Sequence, residues 1–133
     1  MLTFVIPAAP GVNALYRNVT PTERARAVAL GRKPPRGRRK TEDYGQWQRA
    51  AEWAMKLDGN KSRTWETITD PVEIKIINGK ERLDCDAPAK AIIDLLVHMR
   101  VIPDDNHNHV RRVVLEYGGS PKEAIVQVKE LAA

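Results

Sequence analysis

Val72-Glu73-Ile74-Lys75-Ile76-Ile77, closed by Asn78-Gly79, is the stretch that decides the fold. Val72, Ile74 and Ile76 alternate with Glu73 and Lys75, the period of two that gives a strand one apolar and one polar face, and Asn78-Gly79 turns the chain. Toward the C-terminus, a helix is expected from about Ala87 to Arg100, with Asp86 as its N-cap and Pro88 inside its first turn. A strand at about Val110–Tyr117, a turn at Gly118-Gly119-Ser120-Pro121 and a strand at about Ala124–Lys129 follow. Toward the N-terminus, Tyr44, Trp47, Ala51, Ala54 and Met55 recur at helical spacing over Thr41–Leu57, and Asp58-Gly59-Asn60 stops that helix. Leu2–Ile6 reads as a first strand, ended by Pro7 and Pro10. Trp47 and Trp53 are assigned to helix packing rather than to base stacking. The order β-α-β-α-β-β predicts an α+β domain: a small mixed sheet of about four strands with two packed helices. At 133 residues the chain has room for one core, so residues 1–133 are read as a single domain.

Hydrophobic residues make up 42% and charged residues 29%, as in an ordinary soluble globular protein. The single cysteine, Cys85, excludes an internal disulfide and a Cys/His zinc framework, and it is expected to pack rather than to react. No signal peptide and no apolar run of membrane-spanning length is visible, so the expected compartment is the cytoplasm and no membrane partner is expected. The formal charge of +5 makes a polyanion a reasonable partner. It is unevenly placed: residues 1–66 carry +7 and residues 67–133 carry −2. Between residues 17 and 40, Arg17, Arg24, Arg26, Arg32, Lys33, Arg36, Arg38, Arg39 and Lys40 face only Glu23. With Pro21, Gly31, Pro34, Pro35 and Gly37 among them, these residues read as a long basic loop with a helical turn at 22–30. A loop of that length in so small a domain is either functional or a solvated connection.

The chemistry is concentrated in Arg82-Leu83-Asp84-Cys85-Asp86-Ala87-Pro88-Ala89-Lys90-Ala91-Ile92-Ile93-Asp94, followed by Pro103-Asp104-Asp105. In extended chain Asp84 and Asp86 point to one side. On a helix Asp86, Lys90 and Asp94 stack along one stripe. A returning loop can then bring Asp104 or Asp105 beside Asp84 and Asp86. Converging carboxylates suit a hard divalent cation, which keeps them charged at neutral pH and can polarise a phosphate or activate a water. The same residues also admit a purely structural explanation. Asp86 can cap a helix, Lys90 can bridge Asp86 and Asp94 on a wet surface, and Asp104-Asp105 can form a turn after Pro103.

The spacing Asp84-x-Asp86-x-x-x-Lys90-x-x-x-Asp94 with Asp104-Asp105 beyond it resembles the signature of the RusA family of Holliday-junction resolvases. The opening Ile6-Pro7-Ala8-Ala9-Pro10-Gly11-Val12-Asn13-Ala14-Leu15-Tyr16-Arg17 is similar to that family's start, and the likeness runs from Thr3 to about Val128. The resemblance implies that Asp84, Asp86 and Asp105 are catalytic carboxylates holding Mg²⁺, with Mn²⁺ as a substitute, and that Lys90 is the essential basic residue. Asp94 and Asp104 match acidic positions in a supporting role. It further implies a bacterial or phage-encoded homodimer that nicks four-way DNA junctions symmetrically, in recombination and repair, with no small-molecule cofactor. Arg17, Arg32, Lys33, Arg36, Arg38, Arg39 and Lys40 would then clamp junction arms through phosphates. Two positions depart from the family. Ala87 stands where members often carry Asn, and Leu83 where a basic residue commonly precedes the first aspartate, leaving Arg82 to make that phosphate contact.

Two other readings compete. The chain can be a non-catalytic nucleic-acid-binding protein that uses the basic loop, or a metal-dependent nuclease that prefers flaps or single strands. Separately, His98, His107 and His109 fall within twelve residues and can be read as transition-metal ligands or as exposed loop histidines.

Overall fold

A computed structural model describes residues 1–9, 16–18, 20–33, 38–40, 42–79 and 88–131 of the chain. Its centre is a four-stranded sheet of β1 (Leu2–Pro7), β6 (Val72–Asn78), β7 (Val110–Tyr117) and β8 (Glu123–Glu130). The strands lie in the order β1-β8-β6-β7. The β1–β8 and β8–β6 pairs are antiparallel, whereas β6 and β7 are parallel and joined through α3 (Ala89–His98). That crossover is why the sheet is mixed: parallel neighbours need a long connection, and here a helix supplies it. A second long helix, α2 (Glu42–Lys56), follows β1. The sheet strands and these two helices thus occur in the expected β-α-β-α-β-β order, and the domain is α+β.

The alternation read in Val72–Ile77 becomes the two faces of the sheet. Val72, Ile74 and Ile76 are buried, and the register aligns Ile74 with Val128 and Ile76 with Val126, which in turn faces Phe4. Tyr44, Trp47, Ala51 and Met55 of α2 and Ala91, Ile92, Leu95 and Leu96 of α3 join these residues in one core. The opposite face carries the charges, with Lys75 3.3 Å from Glu116 and Arg112 3.2 Å from Glu73. These surface pairs connect β6 to β7 and contribute little energy.

The described structure also adds elements to the sequence reading. In the basic segment a helix stands where a helical turn is expected at 22–30, and a short ribbon is added to it. The helix is α1 (Pro21–Ala29), and β2 (Tyr16–Asn18) pairs antiparallel with β3 (Arg38–Lys40), setting Arg17 opposite Arg39. α1 buries no residue. Its stability is local: Thr20 caps the Glu23 backbone N–H at 3.2 Å, and Glu23 reaches back to Thr20 in a capping box. A second small ribbon, β4 (Leu57–Asp58) with β5 (Lys61–Ser62), forms where the sequence reading had only a helix stop, with Gly59 at φ 62° making the turn.

Two further corrections concern α2 and α3. Trp47 packs as expected, 7% exposed, and its indole donates to the Pro7 carbonyl at 2.9 Å. Trp53 does not pack: it is 68% exposed, because three helical residues beyond Ala50 it faces away from the core stripe. The cap position of α3 is Pro88 rather than Asp86, and no side chain caps it. At its other end α3 closes in a Schellman motif. The Arg100 N–H bonds the Val97 carbonyl at 3.1 Å and the Val101 N–H bonds the Leu96 carbonyl at 2.9 Å. Arg100 takes φ 57°, where glycine is usual and an L side chain costs roughly 1–2 kcal/mol.

Candidate functional site

The site is built on α3 and on the loop that leaves it. Lys90 in the first turn of α3 reaches Asp94 at 3.6 Å, one helical turn on, as the sequence spacing implies. Both side chains are partly solvated, so this pair orients the groups more than it stabilises the fold. After the helix, buried Val101 and Ile102 pin the chain to the core, and Ile68 donates its backbone N–H to the Val101 carbonyl at 2.9 Å. The polar run from Pro103 to Asn108 is exposed above this anchor.

Within that run, Asp104 organises the turn. Its Oδ1 accepts the Asp105 backbone N–H at 2.8 Å and its Oδ2 accepts the Asn106 side-chain amide at 3.1 Å. Asn106 then accepts the Asn108 N–H at 3.0 Å, and its carbonyl accepts the N–H groups of His109 and Val110. The His109 carbonyl accepts the Val72 N–H at 2.8 Å, which ties the loop to the start of β6. The Asp105 backbone N–H and then the Asp105 side chain hold the Asp104 carboxyl below its ordinary value of 3.8, with smaller help from His109 and Asn106 against slight desolvation. Asp104 therefore uses both oxygens to shape the loop.

The loop presents Asp104 and Asp105 to a cleft of about 390 Å³ whose other walls are Asp94 and His98 of α3 and Tyr44 and Gln48 of α2. Three of the acidic residues singled out in sequence thus share one surface depression. Tyr44 was read there only as core, and Gln48 was not read at all; its place four residues after Tyr44 on the same helix is the signal that links them. His98 was considered as a metal ligand, yet its Nε2 donates to Glu52 at 2.6 Å.

Asp84, Asp86 and Arg82, together with Cys85, lie outside the described residues, as does Arg36. Lys90 stands roughly 12 Å along the helix axis from His98, at 1.5 Å per residue, and borders the acidic cleft through Asp94, which is 3.6 Å from it. Among the described residues no group of three or more His, Cys, Asp and Glu is placed to hold a metal ion, and this applies to His107 and His109 as well. The donor chemistry does suit a hard cation. Asp94 and Asp105 offer carboxylate oxygens, and Mg²⁺ needs only one or two protein carboxylates beside water and a phosphate.

No known family model and no curated protein matches the chain. Of the residues assigned to DNA, Arg32 and Lys33 are exposed just beyond α1, while Arg17, Arg38, Arg39 and Lys40 belong to the β2–β3 ribbon. Among the described residues no helix is long and apolar enough to cross a membrane.

Proposed function

We propose that the protein is a metal-dependent, structure-selective DNA endonuclease of the RusA type, resolving four-way junctions by symmetric phosphodiester hydrolysis. The observation that supports it most is the return of the loop after α3, by which Asp104 and Asp105 line one cleft with Asp94 in a chain of net charge +5. Asp84, Asp86 and Asp105 would hold Mg²⁺ or Mn²⁺. The bound ion would polarise the scissile phosphate and lower the pKa of the attacking water.

The protein's own groups would do the rest. The Asp104 turn fixes the direction of Asp105, Asp94 holds Lys90 by charge, and Lys90 offers a cation to the charge that develops on the phosphate. The β2–β3 ribbon and α1 would grip junction arms through backbone phosphates, which makes binding steeply salt-dependent. One chain carries one such site, so paired nicks need a homodimer whose two-fold axis matches that of the junction.

A non-catalytic nucleic-acid-binding role is the second reading, favoured by Lys90 and Asp94 being paired with each other at 3.6 Å. The two separate in a cleavage assay with Mg²⁺, Mn²⁺ or chelator on junction, flap, duplex and single-stranded DNA. The proposal expects Mg²⁺-dependent cutting of the junction above the other substrates, and its loss in Asp86→Asn and Asp105→Asn with binding retained. Cleavage at the parental rate by either variant overturns the site assignment. Binding indifferent to Mg²⁺ with no cleavage of any substrate establishes the second reading.

A further inference from the structure

Arg100 holds a backbone conformation at φ 57° that glycine would adopt without strain, at a helix end where glycine is the usual residue. Strain kept at one position points to a use for its side chain. Arg100 lines a cleft of about 540 Å³ together with Lys56 of α2 and Arg63 of the segment before β6. Three cationic residues from three separate parts of the chain thus border one cleft. The lone lining carboxylate, Glu52, already accepts from His98 Nε2 at 2.6 Å.

The walls are fixed in advance. Thr67 Oγ1 donates to the Arg100 carbonyl at 2.7 Å and the Trp65 indole donates to the Met99 carbonyl at 3.2 Å. Arg63 donates through Nη1 to the Thr3 carbonyl at 2.6 Å and lies 4.4 Å over the Phe4 ring, leaving further guanidinium donors for a ligand. His98 lines this cleft and the acidic cleft alike, so the basic depression adjoins the carboxylates. Trp53, 68% exposed, follows the lining residue Glu52 and precedes the lining residue Lys56 by three residues on α2, so its indole is within a helical turn of both.

We propose that this cleft is a phosphodiester-binding subsite, in which Lys56, Arg63 and Arg100 take backbone phosphates of a DNA strand that continues past His98 to the acidic cleft, while Trp53 stacks one unpaired base. The inference rests on DNA being the partner, as proposed above, and not on cleavage. Base–aromatic stacking and phosphate contact together are how single-stranded segments are held without sequence preference.

The test is equilibrium binding of labelled four-way junction, gapped junction and blunt duplex to the full chain across a salt series, without divalent metal. Arg100→Gly should melt at or above the parental temperature, since the backbone favours glycine there, yet bind DNA several-fold more weakly with a log–log salt slope lower by about one. Trp53→Ala should bind the gapped junction roughly five-fold or more weakly and the blunt duplex almost normally. Parental affinity and salt slope in both variants overturn the proposal. Competition by a mononucleotide as strong as that by an equal concentration of strand assigns the cleft to a free nucleotide and overturns it too. Variants that behave as expected in a protein that never cuts DNA uphold the subsite while refuting the nuclease reading.

Discussion

Replacing Trp47 by Phe tests how α2 is held against the sheet, and Trp53→Phe on the same helix is its control. Trp47 is 7% exposed and donates to the Pro7 carbonyl at 2.9 Å, across the junction of α2 with the end of β1. Phe keeps one ring, removes the donor and leaves that carbonyl without its partner, which costs about 1–2 kcal/mol. The smaller ring gives up roughly 40 Å² of buried apolar area, about 1 kcal/mol at 25 cal/mol per Å². The sum, about 2–3 kcal/mol, corresponds to a fall in Tm of roughly 6–12 °C for a domain of this size. Trp53 is 68% exposed, so its substitution should stay within about 0.5 kcal/mol. Urea unfolding followed by circular dichroism measures both with the same m-value. Equal losses in the two variants, or a loss below about 0.5 kcal/mol for Trp47→Phe, would refute the packing described for α2. The site depends on the same anchor, because Tyr44 and Gln48, which flank Trp47, form the α2 wall of the acidic cleft.

Thr20→Ala removes the capping box of α1 and should cost about 1 kcal/mol locally. Since α1 buries nothing, hydrogen exchange of its amides should accelerate about five-fold while the global Tm stays within a degree or two; a large global loss would contradict its peripheral position. Gly79→Ala places a Cβ 1.9 Å from the Ser120 carbonyl oxygen, a backbone atom that cannot step aside alone, so a loss of roughly 1–3 kcal/mol by urea titration is expected. Neutral behaviour would mean that β6 ends differently. The carboxyl carbon of Asp104, followed by NMR, should titrate below the ordinary 3.8 because its charged form accepts the Asp105 N–H. A carboxyl lowered in the folded state contributes stability that is complete above its ordinary value and is lost as pH falls through the folded one, so loop protection should persist below pH 3.8. A midpoint at or above 3.8 would refute the turn geometry.

The sheet was legible in sequence where local pattern and burial agree. Val72, Ile74 and Ile76 alternate because one face meets the helices, and the β6-α3-β7 crossover follows from an apolar helix placed between two strands. What escaped was set by contacts too short or too distant to leave a period. The β4–β5 ribbon has only two residues in each strand and the β2–β3 ribbon only three. Trp53 was misread because residue type alone does not say which side of a helix faces the core. The acidic cleft was half legible. The i,i+4 spacing of Lys90 and Asp94 produced the expected pair, and Asp104 and Asp105 share a cleft with Asp94, while Asp84 and Asp86, beside which the loop was expected to return, lie outside the described residues. The α2 wall and the glycine-like backbone of Arg100 depend on packing and on φ, neither of which is written in residue type.

In the proposed function Asp105 serves the reaction and not only the turn. The most direct measurement is single-turnover cleavage of a synthetic four-way junction with Mg²⁺ by the parental protein and by Asp105→Asn, at protein concentrations that saturate binding. The account predicts paired nicks from the parental protein, none with chelator, and a loss of at least a hundredfold in the variant at unchanged junction affinity. Cleavage by Asp105→Asn at the parental rate would contradict it.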